Sequence, residues 1–161
     1  MEGTVRSNMD PFEEKTDDEV RRCLANAKLS AQKLSDAVET GGRNFSAGER
    51  QLLALARTLL HRRKIVVLDE PTANVDTETD NAVQEMLRKE FADSTLLCIA
   101  HRLNTVIDFD RILVMADGKV AEYGPAKELL QREGSVLRAM VSGMGELAAA
   151  QLTAKANTVK N

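Results

Sequence analysis

The sequence predicts an α/β fold in which half of a parallel sheet follows a helical subdomain. Two apolar runs, at residues 65–69 and 95–100, have the length and composition of buried strands. The helical spacing of apolar residues between them indicates a strand–helix–strand unit with parallel strands. Capping signals before residue 60 indicate helices there. We therefore predict a helical portion at 1–60, an α/β portion at 61–132, and a C-terminal helix and tail at 133–161.

The bulk composition argues against several classes of protein. With 161 residues, 43% hydrophobic and 29% charged, the chain can bury the core of one soluble domain. Its net charge of −3 argues against a nucleic-acid partner. No apolar run approaches the ~20 residues of a membrane-spanning helix, and the N-terminal MEGTVRSNMDPFEEK lacks the apolar centre of a secretory signal. A role at a membrane would need attachment by another segment or chain.

Three helices are predicted before the first strand. Thr16 and Glu19 form a capping box at the start of the first helix. A second, short helix is expected from Ser30 until a Gly-Gly pair stops it. The third begins at Ser46 with Glu49 three residues later, and its apolar stripe comprises Leu52, Leu55, Ala56, Leu59 and Leu60.

Strands and helices alternate in the rest of the chain. The predicted elements are a strand at 65–69, a helix at 77–91, a strand at 95–100, a short helix near 103–108, a hairpin at 112–123 and a tail helix at 135–156. Asp117-Gly118 marks the hairpin turn. Cys23 and Cys98 lie in apolar surroundings and are expected to be buried reduced thiols rather than a disulfide or a metal pair.

Side chains suited to catalysis stand where the predicted strands end. Asp69 and Glu70 close the first strand, and His101 follows the second. Ligands of open parallel sheets bind outside the carboxyl ends of the strands, so these groups are expected to face one crevice. Asp69 would hold Mg²⁺ directly or through water, Glu70 would take a proton from a water molecule, and His101 would contact developing phosphate charge. The alternative is a strand that simply reaches the surface beside a structural histidine.

The start of the Ser46 helix is a further candidate element. Free N–H groups and the helix dipole there favour an anion, and Gly48 places no side chain in the way. An ordinary capping box is the alternative, and Glu49 supports it. Its carboxylate would repel a phosphate unless it turns back onto its own cap.

Three stretches carry four motifs in a specific order. Residues 43–51 read RNFSAGERQ, residues 66–76 read VVLDEPTANVD and residues 99–102 read IAHR. Together they resemble the nucleotide-binding domain of ABC ATPases, with a signature motif at 45–49, a Walker B strand at 65–69, a D-loop at 73–76 and a switch histidine at 101. The stretches GTVRSNMDPF, DTETD, RKEFADST and HRLNTVID favour the second such domain of multidrug-resistance-associated (ABCC-type) exporters. The resemblance covers about residues 3–132.

The resemblance implies a P-loop NTPase fold, with ATP and Mg²⁺ as cofactors and hydrolysis that drives export. Asp69 would bind Mg²⁺ through water, and Glu70 and His101 would be the catalytic residues for the ATP held in cis. The signature residues would contact an ATP held by a partner domain: Phe45, Ser46, Ala47, Gly48 and Glu49. The D-loop residues complete the cofactor-binding set: Ala73, Asn74, Val75 and Asp76.

The implied partners are a second nucleotide-binding domain, closed head to tail around two ATP molecules, and the transmembrane domains of an exporter. The implied location is the cytoplasmic face of a plasma or vacuolar membrane. Two departures from the family pattern lie in the signature motif, where Ala47 replaces the usual glycine and Glu49 the more usual glutamine.

The family's phosphate loop, G-x-x-x-x-G-K-[ST], does not occur in these 161 residues. It is expected to belong to sequence preceding Met1, which would make this an incomplete P-loop NTPase domain. The lone chain is therefore expected to lack significant ATPase activity. It is also expected to expose an apolar strand edge and to self-associate.

Two other functions fit parts of the pattern. One is a non-catalytic interaction module, or a truncated gene product, that docks on an intact ABC ATPase domain. The other is the ATPase head of an ABC-type DNA-maintenance protein. The negative net charge and the lack of a sustained heptad pattern disfavour the second.

Overall fold

The computed structural model describes residues 2–158, which form two compact units, one ending at Ile99 and the other starting at Ala100. The first unit contains β1 (Gly3–Thr4), α1 (Val5–Met9), α2 (Asp17–Asn26), β2 (Ala37–Val38), α3 (Ala47–His61), β3 (Ile65–Asp69), α4 (Thr77–Glu90) and β4 (Thr95–Ile99). The second contains α5 (Leu103–Val106), β5 (Ile112–Ala116), β6 (Lys119–Gly124), α6 (Ala126–Gln131), α7 (Val136–Ser142) and α8 (Glu146–Ala156). The boundaries expected at residues 60 and 132 remain predictions.

Helix α3 lies at the centre of the first unit's core. Both capping boxes expected from the sequence are present, at Thr16–Glu19 for α2 and at Ser46–Glu49 for α3. α3 buries six apolar side chains along its length: Leu52, Leu53, Leu55, Ala56, Leu59 and Leu60. They pack in one continuous cluster with residues of α1, α2, β3 and α4. The apolar stripe therefore joins the helical part of the chain to the strand that carries the acids.

Strands β3 and β4 pair in parallel, with Val67 opposite Leu97 and Asp69 opposite Ile99. Helix α4 connects them, which confirms the predicted strand–helix–strand unit. Alternate residues of β3 are buried on one face, while Ile65 and Val67 remain 70% and 61% exposed on the other. The sheet has two strands and one covered face, so apolar side chains of β3 and β4 meet solvent. Self-association through them remains a prediction.

The prediction of a helix from Ser30 is wrong. Turns occupy this region, and Ala37–Val38 instead pairs with Gly3–Thr4 as an antiparallel ladder. The residues just before Ala37 also accept hydrogen bonds from the start of α1: the Val5 and Arg6 N–H groups donate to Asp36 O and Leu34 O at 2.9 Å each. A contact between distant segments therefore overrides the local helical spacing.

The second unit contains the predicted hairpin and a broken tail. β5 and β6 are antiparallel around Asp117 and Gly118, whose φ angles of 50° and 71° suit a tight hairpin turn. The single tail helix expected at 135–156 is wrong, since α7 ends at Ser142 and α8 starts at Glu146. Gly145 lies between them with φ 91°, a conformation that glycine adopts readily.

A buried carboxylate fastens α7 to the hairpin. Glu122 on β6 is 8% exposed, and it accepts hydrogen bonds from the Ser135 hydroxyl and from the N–H groups of Val136 and Leu137, at 3.0–3.1 Å. Burial opposes its ionisation, but hydrogen bonds from Leu137, Val136 and Ser135 outweigh it and hold the pKa of the carboxyl below its usual value. The first N–H groups of α7 thus find their acceptor on another element.

The two cysteines are free thiols; Cys23 is buried, as predicted, whereas Cys98 is half-buried. Burial raises the pKa of Cys23, and burial together with the Asp69 carboxylate raises the pKa of Cys98 to about 11. Both therefore stay protonated at neutral pH. Over residues 2–158, no helix is both long enough and apolar enough to cross a membrane.

We expect Glu122→Gln to lower the free energy of unfolding of the second unit by about 1–3 kcal/mol, because three donors lose a charged acceptor. The pKa of Glu122 is lower in the folded state than in the unfolded state, where it is about 4.3. The ionised carboxylate therefore stabilises the folded second unit above that unfolded pKa, and this stabilisation is lost as the pH falls through the folded pKa. Urea unfolding between pH 7 and pH 3 measures both effects. Glu133→Gln, at an exposed position of the same unit, is the control; equal stabilities for the two variants would contradict the role of Glu122.

Candidate functional site

The acid pair closes β3 at the carboxyl end of the parallel ladder. Asp69 is the last strand residue and is exposed, and Glu70 follows it half-buried. The Glu70 N–H donates to Ile99 O at 2.8 Å, which extends the ladder by one step. Glu70 then turns sharply, with φ 45°. Left-handed backbone costs a residue with a side chain roughly 1–2 kcal/mol, so the surrounding structure must hold this conformation.

The D-loop segment forms a compact turn between β3 and α4. The Ala73 N–H donates to Glu70 O at 3.2 Å and closes the turn. Asp76 ends it as the cap of α4, since its carboxylate accepts the N–H and hydroxyl of Thr79 at 3.0 and 2.7 Å. The hydrogen bond from the Thr79 N–H contributes most to lowering the pKa of Asp76. The Asp76 carboxylate therefore stabilises the start of α4. The sequence motifs, which placed Asp76 among the cofactor-binding residues, did not predict this role.

The capping box at the start of α3 keeps Glu49 folded back. The Ser46 N–H donates to Glu49 Oε2 at 2.8 Å, and the Glu49 N–H donates to Ser46 Oγ at 3.2 Å. Gln32 Nε2 adds a hydrogen bond to Glu49 Oε1 at 3.2 Å. The bond from the Ser46 N–H is the main reason that the pKa of Glu49 is lowered. The carboxylate turns back onto its own cap, which is the arrangement that leaves room for an anion at this helix start.

The other signature residues have distinct environments. The Phe45 side chain is buried in the core of the first unit, so it supports the loop before α3. Ala47 is exposed. Gly48 lies against the D-loop, where a Cβ atom would come within 2.6 Å of Asn74 O and 3.2 Å of Val75 Cγ1. Glycine at this position lets the helix start and the turn touch through their backbones.

His101 belongs to the second unit and is exposed just before α5. Its sequence position, two residues after β4, agrees with the predicted strand end. Its catalytic contribution remains a prediction.

The carboxylates suit a cation that takes few protein ligands. Within residues 2–158, no group of three or more His, Cys, Asp or Glu side chains is arranged to hold a metal ion. Mg²⁺ commonly binds through one or two carboxylates, water and substrate phosphates, rather than through a complete protein cage. An exposed Asp69 at a strand end fits such a site.

Sequence reasoning missed Gln51, which connects the two halves of the site. Its Nε2 donates to Glu70 O at 3.3 Å, and its Oε1 accepts the Asn74 N–H at 3.1 Å. The available signal was its spacing, because Gly48 and Gln51 lie three residues apart and share a helix face. A second glutamine, Gln84 on α4, reaches the Thr72 hydroxyl at 3.5 Å from the other side of the turn.

Comparison with known proteins tests the family resemblance. A family model described as ABC transporter matches residues 1–73. The chain is 48% identical over 148 residues to ABC transporter C family member 13 of Oryza sativa subsp. indica, across 88% of this chain. It is 43% identical over 163 residues to ATP-binding cassette sub-family C member 4 of Homo sapiens, across 98% of this chain. The chain belongs to the ABC transporter family. Its sequence is that of an ABCC-type nucleotide-binding domain, as the motifs predicted.

The chain spans 10% of the length of the rice protein and 12% of the human one. Among solved structures, a bacterial Atm1-family ABC exporter with ATP bound matches with a TM-score of 0.80 and 30% identity. That match covers 89% of this chain and 26% of the exporter chain. The predicted α/β class, with the parallel sheet of a partial ABC ATPase domain, is thereby confirmed.

We expect Gly48→Ala to lower the free energy of unfolding of the first unit by about 1–3 kcal/mol, because the added methyl group would overlap Asn74 O. The control is Gly143→Ala, where φ is −66° and the nearest atom to a new Cβ lies 3.4 Å away. Chemical denaturation of both variants measures the difference. If Gly48→Ala is no less stable than the control, the α3 start and the D-loop are not in close contact.

Proposed function

We propose that this chain supplies the Walker B acids and the signature helix of an ATP-hydrolysing domain in an ABCC-type exporter. The observation that carries the proposal is the position of Asp69 and Glu70 at the carboxyl end of β3, beside the capped start of α3. Ligands of open parallel sheets bind at that end. The names of the relatives, which are transporters and exporters, support ATP-driven transport across a membrane.

In the proposed reaction, Glu70 accepts a proton from the water that attacks the terminal phosphate. Asp69 would hold Mg²⁺, which would supply positive charge near the phosphates. The resemblance to the ABC ATPase motifs assigns His101 a contact with the phosphate oxygens that gain charge. The left-handed turn at Glu70 supports this assignment, because strained backbone persists where the surrounding contacts hold a side chain in a required direction.

We call the surface formed by residues 45–49, at the start of α3, the signature face. Its proposed partner is a second nucleotide-binding domain that lies head to tail with this one. Ser46 and the first N–H groups of α3 would meet the phosphates of an ATP held by that domain. The folded-back Glu49 supports the contact, since its carboxylate is occupied by Ser46 and Gln32. We further propose that transmembrane domains attach the assembly to the cytoplasmic face of a plasma or vacuolar membrane.

Whether the chain hydrolyses ATP or only docks on another ATPase domain depends on a phosphate loop. Its backbone N–H groups and lysine hold the β- and γ-phosphates, and the 161 residues contain no such motif. We therefore propose that the chain by itself does not turn over ATP. The same observation favours the second candidate function, a non-catalytic module that offers its signature face to an intact ABC ATPase domain.

The purified chain is expected to show no ATP hydrolysis above background and no tight ATP binding. Phosphate release and equilibrium binding of a labelled nucleotide measure the two quantities. Glu70→Gln should behave like the wild type in both assays. Robust hydrolysis that Glu70→Gln abolishes would overturn the expectation of an inactive chain.

The signature face is expected to bind an intact ABCC-type nucleotide-binding domain only in the presence of Mg·ATP. Ser46→Asp should weaken this complex at least about tenfold, because aspartate still caps a helix but places a negative charge against the phosphates. Ser142→Asp, at an exposed site of the second unit, is the matched control. Biolayer interferometry with and without ATP measures the affinity; binding that is independent of ATP, or equally weakened by both variants, would contradict the proposed contact.

A further inference from the structure

The side chain of Gln51 hydrogen-bonds to the backbone on both sides of the turn that follows β3. Its Nε2 donates to the carbonyl oxygen of Glu70 at 3.3 Å, and its Oε1 accepts the N–H of Asn74 at 3.1 Å. A carboxamide has one donor end and one acceptor end, and both are used here on complementary partners. Leucine or methionine at this position would fill similar space but could make neither bond.

One of these bonds reaches a residue with an unfavourable backbone conformation. Glu70 has φ 45°, a conformation that residues with side chains seldom adopt. Its N–H is fixed by Ile99 O at 2.8 Å, and its carbonyl oxygen accepts both Ala73 N–H, at 3.2 Å, and Gln51 Nε2. With both ends of the residue held, the direction of its Cα–Cβ bond follows from these contacts.

A second contact joins the same helix to the same turn. Gly48 approaches Asn74 so closely that a Cβ atom would come within 2.6 Å of Asn74 O. Asn74 is therefore held at both ends: its N–H donates to Gln51 Oε1, and its carbonyl oxygen lies against Gly48. Because Gly48 and Gln51 lie in the first five residues of α3, this part of the helix cannot shift without moving the turn.

We propose that Gln51 is a positioning residue for Glu70, and that it makes the direction of the Glu70 side chain depend on the position of the first turn of α3 within the same chain. The proposal rests on the proposed function only in that Glu70 acts on water and the Ser46 end of α3 meets a phosphate. The consequence is a link within one chain between the phosphate-facing end of α3 and the residue that accepts the proton.

The test uses the purified, isotope-labelled chain and two substitutions that separate the two bonds. Gln51→Met removes both, whereas Gln51→Glu keeps an acceptor for the Asn74 N–H and loses the donor to Glu70 O. In Gln51→Met, we expect the Asn74 amide to exchange about five to ten times faster, as loss of one hydrogen bond implies, and the HN–Hα coupling and the Cα and Cβ shifts of Glu70 to move away from values for positive φ. In Gln51→Glu, the Asn74 amide should stay protected while the Glu70 signals change.

The control is Gln151→Met, at an exposed site on α8, which should leave Asn74 and Glu70 unchanged. An α3 helix that is merely less stable would raise exchange uniformly over the first unit and leave the Glu70 signals in place, and this result would overturn the proposal. Unchanged exchange at Asn74 in Gln51→Met, or identical behaviour of the two Gln51 variants, would also overturn it. No nucleotide is present, so these outcomes are independent of whether the chain binds or hydrolyses ATP.

Discussion

The parallel pairing of β3 with β4 is the constraint on which the site depends. Parallel strands need a crossover, and α4 provides it, so the chain must leave β3 through a turn at the sheet's carboxyl end. The ladder continues one residue past Asp69, through the bond from Glu70 N–H to Ile99 O. Only after that bond does the backbone turn. The hydrogen bonds that define the strand therefore hold Asp69 and the N–H of Glu70, and the bonds from Ala73 and Gln51 to the Glu70 carbonyl oxygen hold the turn that follows.

Carboxylates in this chain occupy two different kinds of position, at helix starts and at a strand end. Glu49, Asp76 and Glu122 accept N–H groups at helix starts, and these hydrogen bonds hold the pKa of each below its usual value. Asp69 and Glu70 instead lie at the carboxyl end of a strand, where open parallel sheets bind their ligands. An acid count alone would not separate helix caps from candidate ligands, whereas their position relative to the element boundaries does.

Local signals in the sequence predicted the elements whose formation is decided locally. The capping boxes at Thr16 and Ser46 and the Asp117-Gly118 hairpin depend on neighbouring residues, and the two strands are visible as local apolar runs; each is present. The region after Ser30 and the contacts of Gln51 depend on partners about 20 to 35 residues away along the chain. The periodicity of apolar residues carries no information about such pairings. It therefore predicted a helix where β2 pairs with β1, and it did not reveal that Gln51 holds the turn after β3.

The alternation of side chains along β3 ties the stability of the sheet to its chemistry. Ile65, Val67 and Asp69 lie on one face because successive residues of a strand point to opposite sides. That face is the uncovered one, and Leu97 and Ile99 of β4 extend it, 58% and 51% exposed. Any segment that removes these apolar side chains from water must also border Asp69. The packing over this face and the surroundings of the Asp69 carboxylate are therefore expected to depend on the same segment.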